Sequence, residues 1–231
     1  MGLFDRFKKV KKDPLIIAIH GFGKRRTDEY IPLKEYFKDK YDMVFPELFD
    51  QRYPEDNIWY NWVSRAESEI IKAKKEKREV ILIGFSMGGV IASYLASKFE
   101  IKRLVLLAPA FEYLTITTAK GYAFGPKRPE EDKIYTPLPS EYTATFIDVV
   151  NNCRDAIDRV TCPTLFIHCL DDELIPYTAS IKYHKRLSAK DKKLVILGNG
   201  QHRLLDDQVT SSVVLSLIDD FLAGKIDDKK I

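Results

Sequence analysis

The apolar residues of this 231-residue chain fall into short continuous runs rather than an alternating pattern. "PLIIAIH" at 14–20, "EVILIG" at 79–84, "IKRLVLLAP" at 101–109, "CPTLFIHCL" at 162–170 and "KKLVILG" at 192–198 each have strand length, and "DMVFPEL" at 42–48 reads as a further strand. Strands without polar alternation are buried on both faces, as in a parallel sheet.

Between these runs the apolar spacing changes to the helical period. Trp59, Trp62, Val63, Ala66, Ile70, Ile71 and Ala73 predict a helix over 58–77, closed by lysines and Arg78 that suit a helix C-terminus. Thr27 or Asp28 can cap a helix carrying Ile31, Leu33, Tyr36 and Phe37. "MGGVIASYLASKF" at 87–99 is a helix with small residues near its start, allowing close packing on a sheet. Further helices are predicted over 179–187 and 206–222, the last with Val209, Val213, Leu217 and Phe221 on one face. Strand–helix alternation without repeat or linker predicts one α/β domain over 1–231. Its mostly parallel sheet would have about six strands, with helices on both faces.

One segment breaks this rhythm. Residues 111–160 are rich in Pro, Gly and aromatics, including Tyr113, Tyr122, Phe124, Tyr135, Tyr142 and Phe146. A connection of that length is expected to be a cap or lid. It leaves the carboxyl end of the fourth strand, the edge where open α/β sheets bind ligands.

Composition narrows the function. A 45% hydrophobic content supports a full core, and 31% charged residues with a formal net charge of +3 give too balanced a surface for nucleic acid to be the expected partner. No apolar run reaches the ~20 residues of a membrane span. Three cysteines, Cys153, Cys162 and Cys169, lack a C-x-x-C spacing, so neither a metal site nor a cofactor is expected. No secretory signal opens the chain, and reduced thiols suit the cytoplasm. The first thirteen residues differ in kind. Leu3, Phe4, Phe7 and Val10 face away from Arg6, Lys8, Lys9, Lys11 and Lys12, a basic amphipathic extension that can touch an anionic membrane at its inner face. The plain alternative is a solvated terminal turn.

The chemistry centres on "GFSMG" at 84–88, a G-x-S-x-G with a strand before it and a helix after it. A serine on such a sharp turn projects its hydroxyl from the sheet, and bulky neighbours at Gly84 and Gly88 would clash. Ser86 is the candidate nucleophile. It needs a base, and there are four histidines: His20, His168, His184 and His202. His202, in "GNGQH" after the sixth strand, lies at the correct edge. His20 in "HGFG" competes there, but is expected to hold its loop by hydrogen bonding. An acid must orient the base. Asp171 and Asp172 both follow the fifth strand in "HCLDDELIP", and Asp172 is preferred. The order Ser86, Asp172, His202 is that of hydrolases with this turn. Backbone N–H groups of Met87 and Phe22 are candidate oxyanion donors, with Gly21 and Gly23 admitting the substrate.

"HGFG", "GFSMGG", "DDELIP" and "GQH" together resemble the α/β-hydrolase superfamily, and within it small bacterial carboxylesterases and monoacylglycerol lipases. The similarity spans most of 14–222. It implies Ser86 as nucleophile, His202 as acid/base, Asp172 as its orienting partner, Phe22 and Met87 as the oxyanion hole, and a small-molecule ester as substrate. The chain departs from the family in three places: two strands usual before "HGFG" are missing, the histidine loop reads Gly-Gln-His, and 111–159 matches no familiar cap. Two further functions stand beside ester cleavage. The same triad hydrolyses amides, peptides or carbon–carbon bonds, and a non-catalytic binding module could retain the fold.

Overall fold

The computed structural model describes residues 14–23, 26–112 and 138–226. The basic extension at 1–13 and the residues Tyr113, Tyr122, Phe124 and Tyr135 lie outside them.

Six strands form one parallel sheet: β1 (Leu15–Ile19), β2 (Asp42–Val44), β3 (Val80–Phe85), β4 (Arg103–Leu107), β5 (Thr164–Cys169) and β6 (Lys192–Leu197). Their spatial order is β2-β1-β3-β4-β5-β6, and every adjacent pair is parallel. All six apolar runs are therefore strands. The "DMVFPEL" run pairs over only three residues. Pro46 has no N–H to donate, and β2 is an edge strand, where such a residue is tolerated.

Six helices are described: α1 (Ile31–Phe37), α2 (Trp59–Lys75), α3 (Met87–Ala96), α4 (Tyr142–Cys153), α5 (Tyr177–Arg186) and α6 (Gln208–Leu222). The pleat sorts the core into two. Leu15, Ile17 and Ile19 point to the face covered by α2, α3, α4 and α5, while Ile16 and Ala18 point to the face covered by α1 and α6. Because β1 leads outward to β2 and β3 returns on its other side, the order reverses between β1 and β3. That switch point is where an open α/β sheet offers a crevice.

Two helix expectations need correction, and one helix has no counterpart in the sequence pattern. The first helix is not capped by Thr27 or Asp28. A 3-10 turn, Arg26–Tyr30, precedes α1, and the Thr27 hydroxyl donates to Glu47 instead. Of its four apolar residues, Leu33 and Phe37 are buried while Ile31 and Tyr36 are exposed. The predicted stripe on α6 is rotated: Val209 and Val213 are 74% and 43% exposed, and Val214, Leu215, Ile218 and Phe221 make the core contact. Finally, α4 arises inside the segment 111–160. Its Tyr142, Phe146, Val149, Val150 and Cys153 are buried in the body of the molecule against α2 and α3. Among the described residues, no helix is long and apolar enough to cross a membrane.

Candidate active site

The turn from β3 into α3 is held by backbone constraint. Ser86 sits at φ 53°, ψ −119°, a left-handed conformation costly for a non-glycine residue. Its N–H donates to Leu107 O (2.9 Å), and its C=O accepts from Gly89 N and Ala110 N (3.0 Å each), tying the turn to β4. The two glycines of the motif are needed for close approach. A Cβ on Gly84 would lie 2.4 Å from Gly88 O, and one on Gly88 would lie 1.9 Å from Ile19 O. Gly21 is needed too: a Cβ there would press on the Phe85 ring at 3.0 Å and on Ser86 Cβ at 3.1 Å. Around Gly23, by contrast, the space is open.

Ser86 occupies the cap position of α3, yet its side chain caps nothing. The hydroxyl lies 3.0 Å from His202 Nε2, and His202 Nδ1 lies 2.8 Å from Asp172 Oδ2. With Nδ1–H donating a hydrogen bond to the carboxylate, Nε2 is the acceptor of the Ser86 O–H. All three side chains are enclosed: Ser86 is 2% exposed, His202 3%, and the Asp172 side chain 0%. The other oxygen of Asp172, Oδ1, accepts from Leu174 N (2.9 Å) and Ile175 N (2.8 Å). Burial pushes the Asp172 carboxyl up, but hydrogen bonds from His168 and His202 overcome this and hold it well below the usual carboxylate range. Asp171, the alternative acid, is exposed.

Of the candidate oxyanion donors, Phe22 lies in the loop after β1 and Met87 directly follows Ser86 at the start of α3. Neither has an acceptor among the described residues. Met87 is the first residue of α3, so its N–H also carries the positive end of the helix dipole. The Phe22 loop is anchored on both sides. The Phe22 ring stacks on Phe146 of α4 (centroids 5.1 Å apart, 14° between planes) and on Trp62 of α2 (6.2 Å, 22°). The adjacent Gly21 N–H donates to Glu29 Oε1 at 2.6 Å.

Two family models match the chain: "alpha/beta hydrolase fold" over 14–128 and "Serine aminopeptidase, S33" over 127–209. The chain is an α/β-hydrolase. Among curated proteins, this hydrolase is 23% identical over 207 residues to a thermostable monoacylglycerol lipase of Bacillus sp. (strain H-257), covering 81% of this chain and 82% of the relative. Among solved structures it superposes on one described under "LipS and LipT, two metagenome-derived lipolytic enzymes" with a TM-score of 0.77 at 18% identity, covering 94% of this chain and 96% of the other. The monoacylglycerol lipase of Paleococcus ferrophilus gives a TM-score of 0.70 at 16% identity, covering 94% and 97%.

The remaining histidines of the α/β-hydrolase separate clearly. His20 does hold its loop: Nδ1 donates to Gly21 O (2.8 Å), and Nε2 accepts from Leu48 N (3.1 Å). Burial, against the opposing pull of the Gly21 hydrogen bond, pushes it down to about 4, so the ring is neutral near pH 7. His184 lies near the end of α5, edge-on to Phe166. His168 is different. It is fully buried and touches the same oxygen of Asp172 as His202 does, with Nε2 2.9 Å from Oδ2. Glu173 was also missed: its Oε2 accepts from His202 N at 2.9 Å, so adjacent acidic residues hold the ring and the backbone of one histidine.

Proposed function

We propose that this α/β-hydrolase is a serine esterase that cleaves carboxylic esters, of short- to medium-chain acyl groups or monoacylglycerols, through an acyl-enzyme on Ser86. The observation that carries the reading is the unbroken hydrogen-bonded line Ser86–His202–Asp172 at the strained turn. His202 Nε2 takes the Ser86 proton as the hydroxyl oxygen attacks the ester carbonyl. Asp172 stays ionised, fixes the tautomer of His202 and stabilises the imidazolium. The oxyanion is received by the N–H groups of Phe22 and Met87, each worth about 3 kcal/mol in the transition state. His202 then returns the proton to the departing alcohol. It next takes a proton from water, whose oxygen attacks the acyl carbonyl, and passes that proton to the Ser86 oxygen as the acid is released, restoring both side chains.

The names of the similar lipases support an ester as substrate, and the segment 111–160 is the proposed cap. Ser86→Ala tests the reading. Hydrolysis of p-nitrophenyl butyrate should fall to the uncatalysed background, and persistent turnover in a purified preparation would sink it. Release of an aminoacyl anilide at a rate matching the ester would favour amide cleavage instead, the chemistry named in the second matching family model.

A further inference from the structure

Asp172 is gripped twice. Its Oδ2 receives His202 Nδ1 at 2.8 Å and His168 Nε2 at 2.9 Å. His168 Nε2 also lies 3.0 Å from Ile175 O, so both its neighbours are acceptors and Nε2 carries the proton. The other ring nitrogen, Nδ1, lies 2.7 Å from Ser180 Oγ on α5. The Ser180 hydroxyl therefore donates to it. His168 and Ser180 are both fully buried. The result is a second Ser–His–Asp line, Ser180–His168–Asp172, meeting the first at one carboxylate oxygen. Ser180 is enclosed within the body, so this second line faces no substrate.

We propose that His168, backed by Ser180, is a positioning residue for the reaction: it fixes the carboxylate of Asp172 against which His202 turns. The proposal rests on the reading that Ser86, His202 and Asp172 perform the chemistry. It has a definite electrostatic consequence. A hydrogen bond to Oδ2 withdraws negative charge from the oxygen that stabilises the His202 imidazolium. Without His168, Oδ2 attracts the imidazolium more strongly, and His202 becomes more basic. Besides the exposed Asp171, the groups around this cluster are Glu173, which binds the His202 backbone, and Cys169, at the end of β5, whose thiol burial and the nearby Asp172 push up to about 11. Neither donates a proton to Asp172 in place of His168.

The test is the pH profile of kcat/KM for p-nitrophenyl butyrate in the full chain, with His168→Leu, His168→Gln and Ser180→Ala beside the wild type. Gln carries an N–H close to the position of Nε2. His168→Leu should move the acid limb upward by about one pH unit, the order expected for one charge-assisted hydrogen bond, and lower kcat/KM about tenfold. His168→Gln should return the limb to the wild-type position. Ser180→Ala should move it upward by a smaller amount and decides the matter if the leucine variant does not fold. An unmoved acid limb in folded His168→Leu overturns the proposal. Equal impairment of the leucine and glutamine variants at an unmoved limb does the same, leaving only a packing role. Failure of the underlying reading looks different: wild-type activity would survive Ser86→Ala, whatever His168 does.

Discussion

Replacing Gly88 by alanine tests the geometry of the strand-to-helix turn. The added Cβ would meet Ile19 O at 1.9 Å and His20 O at 2.6 Å. Both are backbone atoms at the end of β1, so no side chain can swing aside. Ile19 O is also held by the buried Tyr30 hydroxyl at 2.9 Å. Relief therefore requires α3 to back away from β1 by an ångström or more. Overpacking of this kind costs about 3 kcal/mol, at the upper end of the usual range. For a chain of this length each kcal/mol lowers Tm by about 2–4 °C, giving a loss of about 6–12 °C. The same displacement carries Met87 N–H away from the substrate carbonyl, and a shift of that size can cost about a hundredfold in rate. Thermal unfolding followed by circular dichroism, with kcat measured well below the new Tm, reads both effects. Gly198→Ala is the control, because its Cβ would meet nothing within 4 Å, and it should stay within about 0.5 kcal/mol of wild type. If Gly88→Ala melts with Gly198→Ala and keeps full activity, the close approach of α3 to β1 is wrong.

Other consequences follow from the same structure. Asp172→Asn, which preserves shape but cannot hold the His202 tautomer, should lower kcat by about 10⁴ while the protein remains folded, as checked by circular dichroism. His20 ties stability to pH: its folded value of about 4 lies below the 6.5 of the unfolded chain, so between them the unfolded state binds the extra proton. That stabilisation is present above pH 6.5 and is lost as pH falls toward 4, about 3 kcal/mol in all. Urea unfolding at pH 7 and 4.5 should show the loss, and His20→Gln should show a flatter dependence. Phe146→Ala removes a buried ring stacked on Phe22 and should cost about 3–5 kcal/mol by the same unfolding measurement, with a drop in kcat as the Phe22 loop loosens.

The sheet was readable because each buried parallel strand leaves a continuous apolar run, and the edge strand β2, which stops short of Pro46, fills the smallest share of its run. Helix faces were harder. Along α6 the apolar residues offer two stripes, and which one faces inward depends on the sheet rather than on the helix. Thr210 and Ser211 are buried there, which no hydrophobic pattern announces. α4 was hidden because its Tyr142 and Thr145 read as loop residues, whereas their hydroxyls anchor the 50–57 loop through Asp50 O, Tyr53 O and Asn57 O. In the site, Ser86, Asp172 and His202 were legible because their chemistry fixes both residue type and position relative to strands. His168, Ser180 and Glu173 were not, since a histidine inside a strand and a serine inside a helix acquire partners only when β5 and α5 are packed.

The claim that Ser86 is an activated nucleophile is most directly tested by reaction with a fluorophosphonate probe followed by mass spectrometry of the digested protein. One label per chain is expected, on the peptide containing Ser86, with parallel loss of ester hydrolysis and no labelling of Ser86→Ala. An unlabelled wild-type protein, or a label on another residue with hydrolysis lost, would contradict it.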